Sequence, residues 1–397
     1  MSFLTSLAII FLSALLLGGL CKKVKLPSLL GMLIVGIVLS SLNLIAPSVL
    51  QISSDLRRLA LIIILMCAGL SLNLNDLRKN GRCAILMCFL PATFEIAGFI
   101  LFGSLMLKLD ILNAAILGCV MAAVSPAVVI PRMLKLDEQG YGKDKGIPQI
   151  ITTGASADDV YVIVLFSALT TMAAGGEFSF NIVWQLPVSI TFGVFVGIAV
   201  GLLLSWFFKR LHVRDSIKVL ILLSMAFLFV ALEDLIGAWV PYAGLLSIIS
   251  MGATLFAKRK TVAQRLSAKF SKLWIAGEIL LFILVGATVD VKYALEFALP
   301  ILAVLGLAMI FRMAGVYTCM LGSNLNKKER LFCMIAYTPK ATVQAAIGAI
   351  PLSLGLASGQ LILAAAIIAI IVTAPLGAFA MDLTYKKLLT KVLSDGL

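Results

Sequence analysis

Two adjacent carboxylates, Asp158 and Asp159, lie in the stretch Thr152-Thr153-Gly-Ala-Ser156-Ala-Asp158-Asp159-Val-Tyr161, with no other charge between residues 146 and 176. Helix neighbours point about 100° apart, so only a wide polar cavity serves both acids. Thr152, Ser156 and Asp159 recur at i, i+4 and i+7, which gathers oxygens on one stripe. Carboxylate and hydroxyl oxygens suit hard cations. A carboxylate in a low dielectric beside a like charge also takes up a proton readily. The pair therefore has the chemistry of a site holding either a proton or a metal cation. The alternative is structural: acids paired with buried cations, or capping a helix break.

The rest of the chain must place this pair inside a bilayer. Of 397 residues, 61% are apolar and 13% charged, against about 45–50% and about 25% in soluble domains. That excludes a soluble enzyme, a disordered regulator and a nucleic-acid-binding module. It points to an all-α polytopic membrane protein. A helical span needs about 20 apolar residues. Thirteen apolar runs qualify, at roughly 2–21, 27–45, 57–74, 83–107, 111–133, 147–173, 181–208, 216–233, 237–257, 272–289, 295–322, 331–350 and 360–385. The 216–233 run is the weakest, because Lys218 falls inside it. Residues 2–21 read as a retained span, since no charged n-region precedes them.

The net charge of +13 is an orientation signal. Of 32 Lys and Arg, 26 fall in odd-numbered connections or the C-terminal tail. Only Arg57, Arg58, Lys108 and Lys292 fall in even-numbered ones. Basic connections face the cytoplasm, so the N-terminus is expected outside and the C-terminus inside, with a bacterial inner membrane as the setting. The single histidine, His212, and seven cysteines without ligand spacing offer no resident metal site, and no cofactor is expected.

Few charges lie inside the runs, and such residues are functional candidates. Glu95 and Arg312 are lone mid-span charges of opposite sign. They suit a buried ion pair, or a pair that exchanges partners with the aspartates. Glu278, six residues from Lys272, is either a snorkelling acid or part of an access route. Every other acid lies within reach of a water interface. Two runs carry helix breaks: Ser125-Pro126-Ala-Val-Val-Ile-Pro131, and Thr338-Pro339-Lys340-Ala-Thr342-Val-Gln344. Interior prolines free backbone groups, tolerated in a membrane where they line a cavity. Crossed breaks bring like dipole ends together, and Lys340 can offset facing C-terminal ends. Freed carbonyls with the Ser125 and Thr342 hydroxyls can complete a cation shell. Ordinary proline kinks are the alternative. Gly193, Gly197 and Gly201 form a small-residue stripe for close helix packing.

Charges on the fourth and eleventh runs, and breaks on the fifth and twelfth, match the pattern of inverted repeats with binding at the midplane. These motifs together resemble the monovalent cation:proton antiporter superfamily, in its two-aspartate sodium/proton branch, over essentially the whole chain. The resemblance implies a thirteen-helix fold with two crossed broken helices. It implies a core domain from helices about 83–173 and 295–385, and a dimerisation domain from helices about 2–74 and 181–289. It further implies a homodimer and an elevator-like motion. By position, Asp159 is the expected principal carrier of cation and proton, with Asp158 its partner. Ser125 and Thr342 are expected oxygen ligands, joined by Ser156 and Thr152 from the aspartate stripe. Glu95 and Arg312 match the branch's buried pair, and Pro126, Pro339 and Lys340 its crossover. Gln344 and Glu278 have no assigned role. Several bacterial relatives carry a lysine on the eleventh span; this chain has Arg312, which stays protonated and does not carry a transported proton. The expected activity is exchange of Na⁺ or Li⁺ for H⁺. The alternatives are K⁺/H⁺ exchange and a sodium-coupled organic-anion symporter. An intramembrane aspartyl protease needs two carboxylates facing across one water, which adjacent helix positions do not provide.

Overall fold

The computed structural model describes residues 2–24, 26–72, 81–174, 181–210, 213–236, 240 and 242–391, apart from the side chains of residues 156, 174 and 181–186. His212 and the Ser156 side chain lie outside that description. The described residues are helical, with one isolated antiparallel bridge, Tyr141 to Lys391. The described part of each of the thirteen apolar runs falls on helix, with different bounds, and the two runs expected to be broken are interrupted.

Nine helices among the described residues are long and apolar enough to cross a membrane alone. The others are short, charged or broken. Ser28–Ser41 and Gly244–Lys258 are too short, and Ser53–Ser71 carries Asp55, Arg57 and Arg58 near its start. The run at 331–350 is a chain of pieces, Lys327–Ala336, Thr342–Ile347 and Ile350–Ser353. The run at 111–133 divides into Ile111–Ala122 and Pro126–Glu138. Asp215–Ile236 accommodates Lys218 by pairing it with Asp215 at 3.2 Å.

The chain divides into two compact units. The first comprises Met1–Ile45, Asn75–Val162 and Phe282–Leu397; the second comprises Ala46–Leu74 and Ile163–Leu281. Two triplets of elements follow the same order, and all of their residues belong to the first unit except 163–174. One is Leu90–Met106, the broken pair Ile111–Ala122 and Pro126–Glu138, then Ile147–Ala174. The other is Ala298–Cys319, the broken pair Lys327–Ala336 and Thr342–Ile347, then Gly359–Leu388. The leading helices of the triplets pack on each other where small residues permit it, Gly98 against Ala308 and Gly315 against Pro91.

In the second unit the glycine stripe does what its spacing suggests. A Cβ at Gly193, Gly197 or Gly201 would lie 2.6, 2.5 or 2.8 Å from Ala243, Ser247 or Thr254 atoms of the facing segment. The Asn181–Arg210 helix thus packs backbone to backbone on Gly244–Lys258. Outward faces carry large exposed apolar side chains, among them Leu12, Leu16, Leu203 and Trp206. An apolar exterior over an apolar interior is what a lipid solvent requires.

Gly197→Leu should separate these two helices, because the obstacle is the Ser247 backbone carbonyl, which cannot rotate away. Overpacking of this kind costs about 1–3 kcal/mol. Thermal unfolding of the purified protein in detergent should show the loss; an unchanged melting temperature would contradict the packing.

Candidate functional site

A break in a membrane helix strands backbone groups that water cannot satisfy. Here two breaks meet, and each answers part of the other's need. The Ser125 N–H donates to the Pro339 carbonyl at 2.8 Å. The Ser125 and Thr342 hydroxyls lie 3.1 Å apart. The Gln344 amide donates to the Ala123 carbonyl at 2.9 Å. Ala123 and Ser125 are extended, with Pro126 opening the second half-helix, where a missing N–H costs nothing.

The remaining carbonyls are met by two buried cations. Lys340 donates its ammonium to the Met121 carbonyl at 2.5 Å. The Arg312 guanidinium donates to the Ala122 carbonyl, and through Nε to the Tyr337 carbonyl at 2.6 Å. Both half-helix C-terminal ends therefore face positive charge, as their dipoles favour.

Those cations are held by carboxylates. Arg312 Nη1 pairs with Glu95 at 2.7 Å, and Nη2 with Asp158 at 3.0 Å. Lys340 Nζ reaches the other Glu95 oxygen at 2.6 Å. Asp158 also accepts the Val124 N–H, at 3.0 Å, from the first break. Glu95, Asp158, Arg312 and Lys340 are all essentially sealed from solvent.

Asp159 differs from these four: it is half-buried, and no carboxylate-to-cation pair involves it among the described residues. One oxygen of Asp158 and one of Asp159 are buried without a hydrogen-bond partner. Three carboxylates thus face two cations, which leaves one negative charge uncompensated. A proton or a single monovalent cation removes it.

Thr152 is half-buried on the aspartate helix Ile147–Ala174. The Gln344 side chain is buried, with its amide oxygen unpartnered. Glu278 is half-buried on Lys260–Ala287 and belongs to the second unit.

The Arg312 link to Asp158 joins the ion pair to the aspartates, as a pair able to exchange partners with them would. Several other contacts have no counterpart in the sequence, the first being the Lys340 link to Glu95. Tyr337 presses its hydroxyl against Gly154, where a Cβ would stand 2.1 Å from it. Thr373 accepts the Lys340 N–H at 2.9 Å. Glu329 is fully buried, although its position suggests contact with water; it caps its own helix and pairs with Lys145 at 2.9 Å. The asparagine three residues earlier, Asn326, is the signal for that cap.

A model of the family described as "Sodium/hydrogen exchanger, transmembrane" matches residues 9–383. Sodium/hydrogen exchanger 9B2 of Xenopus tropicalis is 32% identical over 406 residues, covering 97% of this chain and 74% of that protein. Sodium/hydrogen exchanger 9B2 of Homo sapiens is 31% identical over 412 residues, covering 98% and 76%. The fold matches that of the sodium proton antiporter MjNhaP1 from Methanocaldococcus jannaschii, with a TM-score of 0.82 at 20% identity over 96% of this chain and 97% of that one.

Lys340→Ala leaves a Glu95 oxygen and the Met121 carbonyl buried without their cation. Breaking one side of a buried pair costs about 3–5 kcal/mol. The variant should melt below Asp158→Ala, which leaves Arg312 its Glu95 partner. The opposite order in a melting experiment would contradict the capping role of Lys340.

Proposed function

We propose a mechanism that starts from one fact: the chain belongs to the sodium/hydrogen exchanger family. It is an integral membrane transporter rather than an enzyme, and the ions it exchanges are Na⁺ and H⁺. The exchange runs through Asp158 and Asp159. The observation that carries this reading is the odd charge: Glu95 and Asp158 are consumed by Arg312 and Lys340, and among the described residues Asp159 pairs with no cation.

In a low dielectric an isolated carboxylate is too costly to bury. Asp159 therefore takes either H⁺ or Na⁺, and the two compete. Asp159 and the free Asp158 oxygen are the first ligands to Na⁺, with Ser125 and Thr342 beside the crossover and Thr152 and Ser156 on the aspartate stripe as further oxygens. Li⁺ suits the same hard donors. With one site and one uncompensated charge, one ion of either kind is carried per passage. Exchange is then electroneutral, since Arg312 remains charged throughout.

The reading extends to thirteen membrane crossings, with the N-terminus outside and the C-terminus cytoplasmic, in the plasma membrane (the inner membrane of a bacterium). The charge asymmetry of the connections supports it. Helices about 83–173 and 295–385 form the moving core, and helices about 2–74 and 181–289 the scaffold of a homodimer. Family membership supports that division. The loaded core presents the site alternately to each side. Anion symport is disfavoured, because Arg312 and Lys340, the cations at the crossover, are already paired with carboxylates.

Proteoliposomes carrying an inside-acid pH gradient test the reading. Adding Na⁺ or Li⁺ should dissipate the gradient at a rate unchanged by clamping the membrane potential, with K⁺ the comparison arm. Asp159→Asn should fall to the rate of empty liposomes while its melting curve stays cooperative. Wild-type exchange in that variant would refute the site.

A further inference from the structure

The two triplets treat their helix breaks alike, with one chemical difference. In each, a side chain from the third helix accepts a backbone N–H from the break in the second. In the first triplet the acceptor is Asp158, which takes the Val124 N–H at 3.0 Å. In the second it is Thr373, on Gly359–Leu388, which takes the Lys340 N–H at 2.9 Å. The Thr373 hydroxyl also donates to the Ala369 carbonyl at 2.8 Å, so both of its roles are filled and its orientation is fixed. One turn further along, Gly377 forms the notch that receives the break: a Cβ there would lie 2.6 Å from Pro339 and 2.7 Å from the Thr338 hydroxyl. Thr373 is buried, at 8% exposed.

We infer that Thr373 is the uncharged counterpart of Asp158, and a positioning residue for the cation site. It touches no transported ion. It fixes the backbone of Lys340, whose ammonium holds Glu95 and the Met121 carbonyl. The same backbone segment presents the Pro339 carbonyl to Ser125, and Thr342 follows two residues later. Without the hydroxyl, the Lys340 N–H is buried with no acceptor and the segment moves to find one. The oxygens around the cation then lose their fixed spacing. A rigid oxygen set discriminates cations by size, as a loose one does not. Thr373 thus sets affinity and the preference between Li⁺ and Na⁺.

This inference rests on the exchange reading, and the wild-type protein separates the two. If wild-type proteoliposomes show no cation-driven proton flux, the exchange reading itself fails. Given wild-type exchange, KM and maximal rate are measured for Na⁺ and Li⁺ in Thr373→Val, Thr373→Ala and Thr373→Ser. Thr373→Val and Thr373→Ala should raise KM for Na⁺ by about tenfold, the loss of roughly one hydrogen bond, and bring the two KM values together. The maximal rate should stay within about twofold, by the same argument that preorganised binding and not the moving step is affected. Thr373→Ser keeps the acceptor and should keep both KM values. Thr373→Ala leaves a small hole and no clash, so it reports even if Thr373→Val fails to fold. Wild-type KM values in Thr373→Ala would overturn the inference, as would a Thr373→Ser variant as impaired as Thr373→Ala.

Discussion

Backbone groups released by a helix break cannot be left bare inside a membrane. That constraint organises the first unit. Two interrupted helices expose carbonyls at one set of half-ends and N–H groups at the other, and lipid cannot serve them. The carbonyls take Arg312 and Lys340. Buried cations in turn demand carboxylates, which Glu95 and Asp158 provide. Asp158 returns the favour to the backbone by accepting the Val124 N–H. The charge cluster is thus the electrostatic consequence of the breaks, and each member has a neighbour that would be stranded by its removal.

Among the described residues of that cluster, Asp159 is the acid without a cation pair. In the mechanism proposed above, its charge is matched from outside the protein, by something small enough to enter and weak enough to leave. A proton and an alkali cation both meet that description, and only one is needed at a time. On that proposal, competition for a single vacancy in the charge balance couples the two fluxes without any further device. On the same proposal, the neutral Thr373, which accepts the Lys340 N–H as Asp158 accepts the Val124 N–H, adds no further charge to that balance.

Much of this was legible in the chain, and the reasons for the remainder are physical. Asp158, Asp159, Glu95, Arg312 and Lys340 stand out because a charge in an apolar run is rare and costly. The breaks stand out because proline cannot sit unnoticed in a helix. Thr373 does not stand out: a threonine in a membrane helix commonly bonds to its own backbone, as this one also does, and its second partner lies 33 residues away. Gly154 and Gly377 look like any small residue until the Tyr337 hydroxyl and Pro339 are seen against them. The network that joins Glu95 to Lys340 spans 245 positions of sequence and has no local trace. Helix ends are less legible than the breaks: hydropathy alone does not mark where Ser28–Ser41 stops or where Gly244–Lys258 starts, because apolar residues follow the one and precede the other.

Counting protons addresses the central claim most directly. Purified protein in weakly buffered detergent solution, titrated with NaCl against a choline chloride control, should release about one proton for each Na⁺ bound, as a shared site requires. The release should fade as the solution is made alkaline enough to empty the site beforehand. Saturable Na⁺ binding with no proton release at any pH would contradict the account.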